Sequence, residues 1–282
     1  MDPLPSMWGG DSRHIDLGFV SLPIPRRRAG LGSATCLALL AVLWAADAWG
    51  QGAVFPLPAA DQQALTKHLG PRVVGAALPS DPIAEATTYF PLRDKTFTFQ
   101  VTSGSHTGTK QNLGLKMADR PTGAPAWRYQ LTPTLAAFIN SSAGGDLLMA
   151  AVSDSDKGVV VVTTPANPFV LKGMKPGESR SFSQTVAVNY LDDPTKKDWG
   201  GSLNATYTYV GTYQVKVPAG SFKAIMIRFA YTGKVGPADV TYTAWYLFAP
   251  GTGLVATVNL EDVSAFWIFH IDTTTGRVLV SK

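Results

Sequence analysis

Residues Ala205–Val217 alternate in hydrophobicity with a period of two. Ala205, Tyr207, Tyr209, Gly211, Tyr213, Val215 and Val217 fall on one side, and Thr206, Thr208, Val210, Thr212, Gln214 and Lys216 on the other. That period predicts a strand with one face on a core and one on water, whereas a helix would scatter the tyrosines around its circumference. Shorter segments rich in β-formers surround it: Thr96–Val101, Leu113–Met117, Trp127–Leu131, Leu147–Val152, Val159–Thr164, Leu254–Leu260, Phe266–Ile271 and Val278–Val280. Gly, Asp, Ser and Pro clusters separate them, as expected of strand boundaries. In Leu254–Leu260 the apolar set is Leu254, Ala256, Val258 and Leu260.

The turn chemistry agrees. Val217-Pro218-Ala219-Gly220-Ser221-Phe222 and Phe248-Ala249-Pro250-Gly251-Thr252-Gly253-Leu254-Val255 place Pro and Gly between apolar runs, so each reads as a reversal between antiparallel strands. Thr273-Thr274-Thr275-Gly276 reads as a further link. Short links imply up-and-down order. About ten to twelve strands are too many for a flat open sheet, so the expected fold is mainly β. It is a strongly curved antiparallel meander, half-barrel or barrel-like, with one short N-terminal helix. That helix spans Ala59–Leu69, with Asp61 as its cap and Gly70-Pro71 as its stop. Residues 71–88 hold three prolines and no period, and read as a linker. The expected organisation is an extension and signal over 1–50, helix and linker over 51–88, and one β domain over 89–282.

The N-terminal segment changes the picture of location. Arg26-Arg27-Arg28 precede an apolar stretch from Ala29 to Ala46, and Ala46, Ala48 and Gly50 form a small-x-small end. This is the pattern of a secretory signal over residues 26–50, with cleavage after Ala48 or Gly50. The competing reading is an uncleaved anchor, but Gly30, Gly32, Ser33 and Thr35 dilute the stretch. A periplasmic or secreted protein without a stable membrane span is expected. Cys36, the one cysteine, leaves with the signal, so no disulfide, thiolate nucleophile or cysteine metal site is expected. The net charge is +4 and scattered, its longest basic run after the signal being Lys196-Lys197, which argues against a nucleic-acid partner.

Candidate chemistry is sparse. His68 falls on the last helical turn, where imidazolium suits the helix dipole. His106 lies in a flexible turn, and His270 shares a strand face with Phe266 and Ile268 as a core histidine. No two of them have metal-ligand spacing. Asp154-Ser155-Asp156-Lys157-Gly158 starts like a calcium loop but then departs from it, with Gly158, Val159 and Pro165 at the fifth, sixth and closing positions. A hairpin turn is the better reading. Asp192-Asp193 and Asp198 flank Lys196-Lys197 as a self-neutralised loop. Gly177-Glu178-Ser179-Arg180-Ser181 lacks the closing glycine of a nucleophile elbow and leads into a strand. Glu85, Glu178 and Glu261 have no pairing that marks glycoside cleavage. No cofactor is expected, and the balance is against an enzyme.

Aromatic residues supply the binding candidates: Tyr207, Tyr209, Tyr213, Trp245, Trp267 and Phe269. Core packing accounts for most such residues. Yet Trp267 and Phe269 oppose Phe266 and Ile268, so the segment Phe266–Ile271 reads as apolar on both sides and calls for a cover.

Tyr89-Phe90-Pro91-Leu92, Val217–Phe222 and Phe248–Val255, in that order, resemble an exported bacterial β-protein family of uncharacterised function, TapB-like or an exported domain of unknown function. Where that family carries Gly-x-x-Trp after the first segment, this chain has Arg93-Asp94-Lys95-Thr96-Phe97-Thr98-Phe99. The resemblance implies a periplasmic curved antiparallel sheet similar to the half-barrels of lipoprotein carriers, and no catalytic residues. The expected function is non-enzymatic binding of a lipid, another apolar or amphipathic molecule, or a cell-envelope component. The alternatives are an envelope assembly factor pairing an edge strand with a protein partner, and a hydrolase on a β scaffold.

Overall fold

A computed structural model of the chain describes residues 52–265 and 269–281. The first elements are α1 (Ala59–Leu69), β1 (Val74–Leu78) and α2 (Ala86–Tyr89). Next come β2 (Lys95–Ser103), β3 (Lys110–Ala118), β4 (Ala126–Gln130), β5 (Leu135–Ser141), β6 (Leu147–Asp154), β7 (Val159–Thr164) and β8 (Asn167–Val170). Long strands finish the chain: β9 (Ser179–Tyr190), β10 (Lys197–Val217), β11 (Gly220–Val235), β12 (Ala238–Ala249), β13 (Gly253–Ala265) and β14 (Phe269–Ser281).

Antiparallel pairing runs β10-β11-β12-β13-β14-β2-β3-β4-β5-β6-β7-β9 and returns from β9 to β10, a closed twelve-stranded barrel. The length of β10 makes closure work. Its first half pairs with β9, all but its first residues pair with β11, and beyond the end of β9 it pairs with β1. The curved, barrel-like antiparallel sheet expected from the sequence is therefore the fold. Pro250-Gly251 turns as its residues dictate, with Gly251 at φ 68° and the Thr252 N–H donating to Ala249 O at 3.1 Å.

Register shows where the alternation fails. Tyr207 pairs with Phe229 and Tyr209 with Ile227, but Gly211 pairs with Met226. The extra residue at Val210 is a β-bulge, and past it the odd positions of β10 exchange faces. Tyr207 and Tyr209 point into the barrel, whereas Tyr213 points outward. Both faces are covered here, so Tyr207, Thr208, Tyr209, Val210, Thr212 and Tyr213 are all buried.

The outer cover is α1. Its bounds match expectation, but Pro58 is the N-cap residue and Asp61 caps nothing. Asp61 is 2% exposed and accepts two hydrogen bonds from Arg228 Nη1, at 2.9 and 3.2 Å. Arg228 pairs with Trp245 on the barrel's outer face. The C-terminal turn of α1 rests on β14 where Gly276 leaves no side chain in the way; a Cβ there would overlap the His68 carbonyl oxygen. Burial lowers the His68 pKa, with help from Lys67, so the imidazolium expected at this helix end is disfavoured.

Three further expectations are corrected. Residues 71–88 are no linker, since they carry β1 and the start of α2. Nor is Phe266–Ile271 one strand. Residues 266–268 lie outside the described residues, but Ala265 pairs with Phe269, Ser264 with His270 and Val263 with Ile271, so Phe269–Ile271 belongs to β14, which runs antiparallel to β13. Thr273–Gly276, read as a link, lies inside β14. The Asp154 loop is the expected hairpin, with Asp154 Oδ1 accepting the N–H groups of Asp156 and Lys157 at 3.1 and 3.3 Å. Among the described residues no helix is long and apolar enough to cross a membrane.

Candidate functional site

One end of the lumen is shut by the segment around α2. Ile83 N–H donates to Met174 O at 3.0 Å and Gly173 N–H donates back to Ile83 O at 2.7 Å, stitching the two closing segments together. Phe90 is thereby driven into the lumen and is fully buried. Its ring meets Tyr129 at 5.4 Å, Phe169 at 4.9 Å and Phe248 at 6.1 Å, all edge-to-face. Such geometry sets the positive edge of one ring against the negative face of another.

Above this plug the lumen turns polar. The strand pairs Tyr246–Thr257 and Thr257–Arg277 put three polar side chains abreast on the inner face of β12, β13 and β14. Arg277 is 7% exposed and donates from Nε to Gln111 Oε1 at 2.9 Å. Tyr129 on β4 and Tyr242 on β12 face it, while burial lowers its pKa. The guanidinium nonetheless stays charged at neutral pH. Thr257 Oγ1, on the residue directly across from Arg277, is buried and finds no hydrogen-bond partner among the described residues. Tyr242 donates to Asn259 Oδ1 at 2.9 Å, and its hydroxyl lies 3.0 Å from that of Tyr246. Burial raises the pKa values of Tyr129, Tyr242 and Tyr246, so all three are neutral.

Toward the β11–β12 turn the inner wall opens. Tyr231 stacks on Tyr242 with ring centres 4.8 Å apart. Val152, Val161, Val188 and Val263 share the inner face there by strand register and are only half-buried. Trp199 and Ile271 are 45% and 43% exposed.

Glu261 lies among them, its carboxyl held above the ordinary 4.5 chiefly by burial, against the opposing charge of Lys157. The folded protein therefore binds this proton more tightly than the unfolded chain does. The contribution of Glu261 to stability is greatest below pH 4.5, falls as pH rises to the raised value, and is flat above it. Glu261→Gln removes that decline. In urea unfolding from about pH 4 to about pH 8, the variant should gain on the parent as pH rises. Parallel curves would mean a solvated carboxyl.

The expected binding residues divide among several places. Tyr207 is inside, its hydroxyl donating to Phe169 O at 3.4 Å and accepting from Leu171 N–H at 3.3 Å. Tyr209 is also inside and donates to Asp81 O at 3.1 Å. Tyr213, outside, donates to Phe55 O at 3.1 Å. Burial pushes the phenols of Tyr209 and Tyr213 up to about 12. Trp245 is buried on the outer face, its Nε1 without a hydrogen-bond partner among the described residues. Trp267 lies outside the described residues, as does the side chain of Phe269, whose backbone pairs with Ala265. The structure thus brings Tyr207 and Tyr209 onto the inner face and puts Tyr213 and Trp245 on the other.

Sequence reasoning passed over Gln111, Tyr242, Thr257 and Arg277, and weighed Glu261 only as a glycosidase carboxylate. A signal existed, since Thr257, Asn259 and Glu261 alternate with Ala256, Val258 and Leu260. It reads as a water-facing side, but in a barrel whose outer face is covered by a helix that side is the lumen.

No protein-family model matches the chain, and no curated protein matches it. The family suggested by the three sequence segments is therefore not shown. Among solved structures, one described as a lipoprotein from Parabacteroides distasonis ATCC 8503 is 10% identical, with a TM-score of 0.32, over 70% of this chain and 99% of that one. Another, described as an exported protein with a YmcC-like fold from Bacteroides fragilis NCTC 9343, is 13% identical, with a TM-score of 0.34, over 72% of this chain and 97% of that one. Likenesses of that size carry no conclusion about what this chain does.

Proposed function

We propose that this is an exported, non-enzymatic protein that holds an apolar or amphipathic ligand in its barrel lumen. The supporting observation is the asymmetry of the lumen. One end is shut by Phe90 and its aromatic neighbours, while the other leaves Val152, Val161, Val188 and Val263 half-buried. Apolar side chains inside a closed barrel lose their water only if something fills the space, and each half-exposed valine adds to the gain from filling it. Export rests on the basic, apolar and small-residue pattern of residues 26–50.

Native mass spectrometry of protein purified from its own envelope fraction tests this. The expected spectrum contains a non-covalent adduct of lipid size that organic extraction removes. A bare mass under conditions gentle enough to keep a known lipid carrier loaded would overturn the reading.

A second reading has its own observation. Among the described residues β1 pairs with β10, and its other edge carries no strand, the nearest pairing being the Val54–Pro79 bridge just past its end. An edge of that kind can accept a strand from a partner, as an envelope assembly factor would require. Co-purification of one defined protein, abolished by a proline placed in β1, would favour it.

A further inference from the structure

We propose that Arg277 receives the anionic head group of an amphipathic ligand whose apolar tail points toward the β11–β12 turn. This rests on the lumen reading above and specifies the ligand class. A buried charge is normally paired, because taking a lone ion out of water costs several kcal/mol. Arg277 is 7% exposed, yet the described residues give it one hydrogen bond, to the neutral Gln111 amide, and no carboxylate. The groups facing it from β4 and β12 are the phenols of Tyr129 and Tyr242.

Directly across the strand pair, the Thr257 hydroxyl is buried and unpartnered among the described residues. A cation with one neutral hydrogen-bond partner and, on the adjacent strand, a buried hydroxyl without one would both be met by a single carboxylate or phosphate. The guanidinium fork suits either anion in two-point contact. Glu261, four residues along β13 from Thr257, stands roughly 13 Å nearer the open end. A tail on that head group would run along the inner wall past Tyr242 and Glu261 toward the half-buried valines.

The test uses the delipidated protein and five probes: dodecanoate, dodecyl phosphate, dodecanol, acetate and inorganic phosphate. Affinities are read by calorimetry. One or both chain-bearing anions should bind at least about tenfold more tightly than dodecanol. Arg277→Met should remove that advantage without changing dodecanol, and Arg277→Lys should restore part of it. Preference between the two chain-bearing anions assigns a carboxylate or a phosphate head.

Equal binding of dodecanol and both anions, unmoved by Arg277→Met, overturns the head-group assignment and leaves the lumen reading standing. Acetate or inorganic phosphate matching the chain-bearing probes overturns the tail. Failure of every chain-bearing probe overturns the lumen reading itself. If Arg277→Met does not fold, the ratio of anion to dodecanol affinity in the parent protein decides.

Discussion

Phe90→Ala is expected to lower the unfolding free energy by about 3–5 kcal/mol, the usual cost of emptying a buried phenylalanine site. The ring is fully buried and meets three other aromatic rings, none of which can swing into the hole without losing contacts of its own. Neither can the backbone collapse, because Ile83 is tied to Met174 and Gly173 while Thr88 O accepts the Gly251 N–H at 2.7 Å. Urea unfolding followed by near-ultraviolet circular dichroism measures the loss. Trp199→Ala is the control, since that side chain is 45% exposed and should cost under about 1 kcal/mol. A comparable small cost for Phe90→Ala would mean that the plug is not packed as described. The same variant should shorten the retention of any lumen ligand, because it opens the closed end.

The second large effect is an asymmetry between two partners. Arg228→Met should cost about 3–5 kcal/mol, because it strands the Asp61 carboxylate beneath α1 with no cation. Asp61→Ala should cost less, about 1–3 kcal/mol. The Arg228 side chain is 35% exposed, against 2% for Asp61, so the guanidinium can recover water when its partner is gone. The double variant should then resemble Asp61→Ala alone. Denaturant midpoints give the three energies, and limited proteolysis across residues 52–70 shows whether α1 has lifted from the barrel. Equal losses for the two single variants would mean that the carboxylate is better solvated than its burial indicates.

The elements of the barrel were largely legible beforehand, for reasons specific to particular segments. Period-two runs such as Ala205–Tyr209 and turns such as Pro250-Gly251 carry their conformation in local chemistry. Helix α1 was equally plain, ending at Gly70 with φ 106°. What escaped was the meaning of each face. Thr257 and Glu261 alternate with an apolar set and so read as water-facing, and Tyr213 reads as a companion of Tyr207 because their spacing is even. The bulge at Val210 separates the two tyrosines, and a bulge depends on how a strand meets its neighbours. β1 was missed because its five residues, Val74-Gly75-Ala76-Ala77-Leu78, have weak strand propensity and are held by β10.

The sequence by itself determined an antiparallel β architecture, most of its reversals and the helix before it, because each depends on neighbours within a few residues. Only the tertiary structure decided that the sheet closes through β9 and β10, that Phe90 plugs one end, and that Asp61 serves Arg228 instead of a helix cap. It also placed Arg277 and Thr257 side by side inside the barrel. Those outcomes depend on contacts between residues distant in the chain, such as Asp61 with Arg228 and Gln111 with Arg277. No local pattern encodes them, because burial is set by what packs across the barrel and not by what precedes or follows in the chain.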